Sequence, residues 1–289
     1  MQEQIKEIYD KTAKEYDHLV TPCRMCQFLT LIYELNLRGN EKILEIGSGP
    51  GALSIQLAKL VKNGEVVGVD ISESMIELAN AKAEAISLRN IEFVCGDALN
   101  LNFPDRSFDI VVTSYLLHWI PDIRRFLHEI YRVLRHGGKL GIIAPSPNMY
   151  GELRRAYRRI MKKYKRYYEG TVIQEMIGLR VYSEREIQKL LCLTGFEIIK
   201  SFTMRFKEPL TPEVYLKRVN AITDEKYLDP IPTKLRSVVR EELMNELSEM
   251  SKNGLITTEC SIFIIGIKRK EKHEKLRLCN KSNPCRTGA

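Results

Sequence analysis

Residues 43–54 read ILEIGSGPGALS. An apolar run ends in Gly47, Gly49 and Gly51 on alternate positions, and a helical pattern begins at Ala52. Glycine permits φ > 0 and lets a ligand approach the main chain where a Cβ would stand, so this strand–turn–helix is a candidate nucleotide-binding loop. The spacing of Gly47, Gly49 and Ala52 fits the dinucleotide fingerprint, and Asp70 lies nineteen residues beyond Gly51, where an acid can accept from ribose hydroxyls.

A nicotinamide dinucleotide and an adenosyl cofactor would use Asp70 alike; Glu45 separates them. A pyrophosphate is repelled by a carboxylate two residues ahead of the first glycine, whereas a ligand with an ammonium and a sulfonium group is attracted. A further acid, Asp97, follows the strand-like run IEFVC and can accept from an adenine amino group.

Outward from the loop, the chain alternates short β-branched runs with amphipathic helical ones. KILEI, EVVGVD, IEFVC, FDIVVTS and KLGIIA are the strands; ALSIQLAKLVK, SESMIELANAKAEAI and DIRRFLHEIYRVL lie between them. That alternation predicts a parallel sheet covered by helices. Ser72 is an N-cap, and Gly137-Gly138 is expected to end the helix carrying Leu127, Ile130 and Leu134. Ser183 with Glu186 forms a capping box, closed by Gly195. Two long strands, FEIIKSFTMRF and ITTECSIFIIGIKR, flank helices opened by Thr211-Pro212 and Pro232.

The organisation follows: residues 1–40 a helical lid, 41–145 the cofactor-binding core, 146–182 a basic helical insertion, 183–267 the rest of the core with a helical insertion at 207–254, and 268–289 a disordered basic tail. The net charge of +8 is local. Residues 151–168 carry +7 and residues 268–289 carry +6, leaving the rest at −5. No apolar run reaches the roughly 18–20 residues of a membrane-crossing helix, and the charged first twenty residues do not read as a signal peptide. The expectation is a soluble cytoplasmic protein. Seven irregularly placed cysteines make no disulfide framework, and Cys23-x-x-Cys26 without a second pair beside it is not read as a metal site.

Four blocks in order, LEIGSGPG, GVDISESMIELA, FVCGDALNLNFPDRSFDIVVTSYLLHWIPD and LRHGGKLGI, resemble the class I S-adenosylmethionine-dependent methyltransferases, in the branch of ubiquinone and menaquinone biosynthesis. The resemblance covers about residues 41–145. It implies a Rossmann-like, doubly wound α/β sheet of seven strands with the last antiparallel. It also implies S-adenosylmethionine as cofactor and S-adenosylhomocysteine as product. Glu45, Gly47, Ser48 and Gly49 would lie near its methionine part, with Gly51 in the same cofactor-binding loop; Asp70 would hold its ribose, and Ile71, Met75, Asp97 and Ala98 its adenine. Ser114 and Tyr115 would line the reaction side, and Tyr9 and Tyr16 would close over the cofactor.

In-line transfer of a methyl group needs placement and exclusion of water, and no catalytic triad is visible. Tyr16, Tyr115 and His118 are the residues expected to face a small-molecule acceptor, with methylation at O, N or C. His118 is a candidate general base or a packed residue beneath the lid. The stretch GELRRAYRRIMKKYKRYYEG, with Tyr157, Tyr164, Tyr167 and Tyr168 among its basic residues, is a solvated helix, a cap for an anionic substrate, or a contact for RNA or an anionic surface. RNA or protein methylation, and a cofactor-binding regulator without turnover, are the alternatives to a small-molecule enzyme.

Overall fold

A computed structural model describes residues 2–147, 149, 151–167, 180–229, 231–251 and 255–269. The expected tail at 268–289 therefore lies outside the described residues beyond Arg269, as do residues 168–179 of the basic insertion.

Strands β1 (Lys42–Ile46), β2 (Glu65–Asp70), β3 (Ile91–Cys95) and β4 (Phe108–Ser114) occupy the segments read from the sequence. With β5 (Leu134–Pro145), β6 (Phe196–Leu210) and β7 (Leu255–Lys268) they form one sheet in the order β3-β2-β1-β4-β5-β7-β6. β1 to β5 pair in parallel, and β7 runs antiparallel between β5 and β6. The order reverses at β1, which pairs with β2 on one side and β4 on the other. A crevice opens at the carboxyl ends of the strands at such a switch point.

Helices α2 (Thr21–Leu35), α3 (Ala52–Leu60) and α4 (Glu73–Ala85) cover one face, with Phe28, Leu31, Leu35, Leu53 and Leu57 in its core. On the other face α5 (Ile123–Val133) and α7 (Glu184–Thr194) bury Phe126, Leu127, Ile130, Ile187 and Leu191. Leu127 is 1% exposed; truncating such a residue to alanine costs about 2–5 kcal/mol. A third cluster joins α6 (Gly151–Met161), α8 (Pro212–Thr223) and α9 (Thr233–Met250) around Tyr157, Tyr215, Val239 and Leu243. Helix α1 (Gln2–Leu19) bridges this cap to the crevice. Lys11 bonds Asp224 at 2.8 Å at the end of α8, while Lys82 of α4 bonds Asp17 at 2.7 Å.

The caps explain where elements stop. Ser72 Oγ accepts from Met75 N–H, Ser183 and Glu186 form the reciprocal box, and Gly195 ends α7 at φ 108°. One boundary differs. Helix α5 ends at Val133, and Leu134 already pairs with Phe108, so Gly137-Gly138 do not terminate the helix but sit in β5 at a register shift. A Cβ on Gly138 would lie 2.8 Å from Arg135 O and 2.9 Å from Asp109 O. A buried lysine satisfies carbonyls at this end: Lys268 Nζ donates to those of Tyr131 and Leu134 at 2.5 and 2.8 Å, in the manner favoured at a helix C-terminus. A second difference is that β6 continues past Phe206 to Leu210, paired with Leu255, so the helices between β6 and β7 begin later than residue 207.

Candidate active site

The loop after β1 is held by main-chain bonds across the switch point. Gly47 and Ser48 N–H donate to Val69 O at 2.8 and 3.0 Å, and Gly49 N–H donates to Asp70 Oδ2 at 2.8 Å. Asp70 Oδ1 accepts from Ser72 N–H at 3.0 Å, so one carboxylate ties the glycine turn to the start of α4. Gly47, Gly49 and Gly51 have φ of 75°, 50° and 77°. Their reasons differ. A Cβ on Gly49 would meet nothing within 4 Å, so this is the open approach to the backbone. A Cβ on Gly51 would stand 2.6 Å from Phe93 Cζ, so this glycine serves packing of α3 against α4 and β3.

Two cavities meet at Gly47. The larger, about 560 Å³ with its open mouth, is bounded by Asp70 and Ile71 after β2, by Asp97 and Ala98 after β3, and by Tyr9 of α1 and Trp119. The smaller, about 350 Å³, is bounded by Glu45, Ser48 and Gly49, by Ser114 and Tyr115 after β4, and by Tyr16 and Arg24. The structure thus brings together all but three of the residues singled out from the sequence. Gly51, Met75 and His118 line neither cavity. Met75 is buried inside α4 at 2% exposure.

Sequence reading missed Arg24. It lies on the buried stripe of α2 with Phe28, Leu31 and Leu35, and its guanidinium stands 3.6 Å over the Tyr115 ring. A charged residue on a mostly apolar helical face, which also carries Gln27, was the available signal. Tyr115 is held there at φ 52°, a conformation costing about 1–3 kcal/mol for such a residue. Its N–H donates to Ile143 O at 2.8 Å, and its hydroxyl is 2.6 Å from Ser261 Oγ. The cradle is therefore not uniformly negative, as Glu45, Asp70 and Asp97 alone suggested. The smaller cavity presents a carboxyl and a guanidinium.

Burial sets the protonation of these groups. Glu45, 1% exposed, is pushed up to about 8 by desolvation, against the opposing bond donated by Ser54 Oγ. Burial raises Asp70 above the usual carboxylate range and holds the Tyr16 phenol well above its ordinary value. His118 is pushed down to about 3 by burial and by the nearby Arg24. Its Nδ1 and the Trp119 Nε1 are buried and have no hydrogen-bond partner among the described residues.

Helix α1 closes the larger cavity. Gln2 Nε2 donates to Asp97 Oδ1 at 3.0 Å, and Asp10 Oδ1 accepts from Ser72 Oγ at 2.6 Å and Ser74 N–H at 3.2 Å. Tyr9 meets Tyr16 and Trp119 edge to face, with ring centroids 5.7 and 5.8 Å apart.

Residues 43–138 match the family described as Methyltransferase domain. A demethylmenaquinone methyltransferase of Listeria welshimeri is 30% identical over 172 residues, 57% of this chain and 71% of the relative. The chain belongs to the class I S-adenosylmethionine-dependent methyltransferases. Among solved structures, a putative methyltransferase from Bacillus halodurans shares the fold at TM-score 0.61 and 23% identity, covering 85% of this chain and 100% of that one. The (4+2)-cyclase SpnF shares it at TM-score 0.62 and 18% identity, covering 93% and 97%. The fold alone thus leaves the chemistry to the site.

The residues of this methyltransferase fit its cofactor. Ser48 Oγ is buried without a partner among the described residues, the space over Gly49 is open, and the smaller cavity presents an acid and a guanidinium, the pair of groups that an amino-acid zwitterion needs. No helix among the described residues is long and apolar enough to cross a membrane.

The basic helix differs from the RNA-binding expectation in its details. Tyr157 is 2% exposed and donates its hydroxyl to Tyr227 O, so it offers no face to a base. Arg159 bonds Glu246 at 2.5 Å and Lys163 approaches Glu242 at 3.3 Å, both on α9. Arg154 donates to the carbonyls of Pro147 and Met149. The side chain of Tyr167 and the whole of Tyr168 lie outside the described residues.

Proposed function

We propose that the protein transfers a methyl group from S-adenosylmethionine to O, N or C of a small molecule held in the cavity between the glycine loop, α1 and α2. The observation that carries this reading is the meeting of two cavities at Gly47, one reaching Asp70 and Asp97 and the other lying among Glu45, Arg24, Phe28 and Tyr115, with Tyr9 and Tyr16 of α1 over them. The relative named demethylmenaquinone methyltransferase makes a reduced quinone ring a first acceptor to assay.

Glu45 would take the ammonium of the cofactor and Arg24 its carboxylate, with Ser48 beside them. Asp70 would accept from the ribose hydroxyls, Asp97 from the adenine amino group, and Ala98 and Ile71 would pack on the ring. The cofactor supplies an electrophilic methyl group on a sulfonium, so the protein's contribution is placement, charge and dryness. Tyr115 and Ser114 fix one wall, while Tyr9, Tyr16 and Trp119 close the other against water. At neutral pH the Tyr16 phenol stays protonated, and the His118 imidazole is neutral but a weak base. Neither group supplies a strong base, so the acceptor enters as its own nucleophile and Tyr16 serves to enclose it.

Incubation with methyl-labelled cofactor and fractionated cell extract tests the reading. Label is expected in solvent-extractable small molecules; label confined to RNA or protein would overturn it.

A further inference from the structure

The outward face of α2 plays no part in the site. Arg24, Phe28, Leu31 and Leu35 face the sheet; on the opposite side of the helix stand Pro22, Cys26, Leu29 and Tyr33, all exposed and none charged. Leu29 is 52% exposed and Tyr33 82%. A helix on the outside of an α/β layer ordinarily carries charged or polar residues there. Leu60, 51% exposed, ends α3, and the loops that follow α2 and α3 meet where Asn63 N–H donates to Gly39 O at 3.0 Å.

Arg38, Lys59 and Lys62 surround that junction, all exposed, and among the described residues none has an acidic partner. The nearby acids are engaged elsewhere. Glu34 bonds Lys200 at 2.7 Å, Glu65 bonds Lys42, and buried Glu41 accepts from the N–H groups of Arg38 and Gly39 at 2.6 and 2.9 Å. An uncharged stripe with an exposed tyrosine therefore ends in a cluster of net positive charge.

We propose that this face docks the protein on an anionic lipid surface. Leucine and tyrosine side chains enter the headgroup boundary, and the basic cluster attracts negative headgroups, a combination that neither part achieves alone. A second copy of the chain is disfavoured by the same charges, because a two-fold contact through this patch would bring like charges together. The cluster lies at the amino edge of the sheet, beside the starts of β1 and β2, while the cavities open at the carboxyl edge. Docking thus leaves the cofactor site clear, and the inference is independent of the acceptor's identity.

Flotation of the full chain with vesicles of phosphatidylglycerol and phosphatidylcholine tests it, with phosphatidylcholine alone as the control. The protein is expected to float with the anionic vesicles at low salt and to lose at least tenfold in bound fraction on neutral ones. Leu29→Asp/Tyr33→Asp and Lys59→Glu/Lys62→Glu should each abolish flotation, since loss of each basic residue weakens partitioning about fivefold. Both variants should keep the melting temperature and the affinity for S-adenosylhomocysteine, which shows that they fold. A wild-type protein that stays unbound, or a Leu29→Asp/Tyr33→Asp variant that still floats, would overturn the proposal. So would a dimer in sedimentation velocity that this variant dissolves.

Discussion

Ser54 Oγ donates to Glu45 Oε2 at 2.5 Å, and both residues are buried beneath the glycine loop. The bond joins α3 to β1 at the point where the cofactor's amino group is proposed to bind. It only partly offsets the desolvation that raises the carboxyl to about 8, so Glu45 is protonated at neutral pH without ligand. An ammonium partner favours the carboxylate, so binding expels a proton. Affinity for S-adenosylhomocysteine should therefore rise with pH from 6 to about 8, by at most tenfold per unit, and then level off. Calorimetry in buffers of different ionisation enthalpy reads the released proton. Glu45→Gln should bind more weakly with no such slope, and equal slopes in the two proteins would sink the assignment.

The same group sets a stability trend. Its folded pKa lies above the ordinary carboxylate value, so its contribution is fully present below the unfolded pKa and is lost as pH rises through about 8. Ligand-free protein should melt at progressively lower temperature between about pH 5 and 8 relative to Glu45→Gln. A flat difference between the two melting curves would contradict this.

Arg24 on the Tyr115 ring is proposed to hold the cofactor carboxylate, and a hydrogen bond to a charged group contributes about 1.5–3 kcal/mol. Arg24→Gln is expected to weaken S-adenosylhomocysteine binding by about ten- to a hundredfold, with the circular dichroism spectrum unchanged. Arg24→Lys should recover part of the loss, because the charge remains while the planar contact with the ring does not. Unchanged affinity in Arg24→Gln would remove Arg24 from the site.

His118 was a candidate base in sequence terms because an imidazole ordinarily titrates near neutrality. In the fold it lines neither cavity, and burial with Arg24 nearby pushes it down to about 3. A true general base contributes about 10²–10⁴-fold to rate. His118→Gln is expected to keep kcat within about tenfold of the parent, and the pH profile of kcat at saturating cofactor should be the same in the two proteins between pH 5 and 7. A hundredfold loss with intact cofactor binding would restore His118 as the base.

The sheet was legible because its strands are short β-branched runs separated by amphipathic helices, and five parallel strands leave little ambiguity of register. The beginning of β5 was not. Gly137-Gly138 looks like a helix stop, yet the chain leaves α5 earlier, where Leu134 pairs with Phe108 and Lys268, far along the sequence, satisfies the carbonyls of Tyr131 and Leu134. The acids of the site were legible from their place after successive strands. Arg24 and Asp10 were not, because each acts through a neighbour distant in sequence, the Tyr115 ring and the Ser72 hydroxyl; Ser54 is only nine residues from Glu45, but its bond depends on how α3 packs on β1. Met75 and Gly51 lie inside the same motif but are packed against the protein, Met75 buried in α4 and Gly51 against Phe93.

Gly49 and Gly51 allow that distinction to be measured. Both have positive φ, so alanine at either costs about 1 kcal/mol or more in backbone strain. At Gly49 the added methyl meets nothing in the protein, whereas at Gly51 it collides with Phe93 and Ala79 at 2.6 and 2.9 Å. Overpacking of that kind adds about 1–3 kcal/mol. Gly49→Ala should melt near the parent temperature yet lose at least tenfold in affinity for S-adenosylhomocysteine, because its methyl occupies the space left for the ligand. Gly51→Ala should show the larger fall in melting temperature. Equal melting losses with no difference in ligand affinity would mean that the open space over Gly49 is not where the cofactor lies.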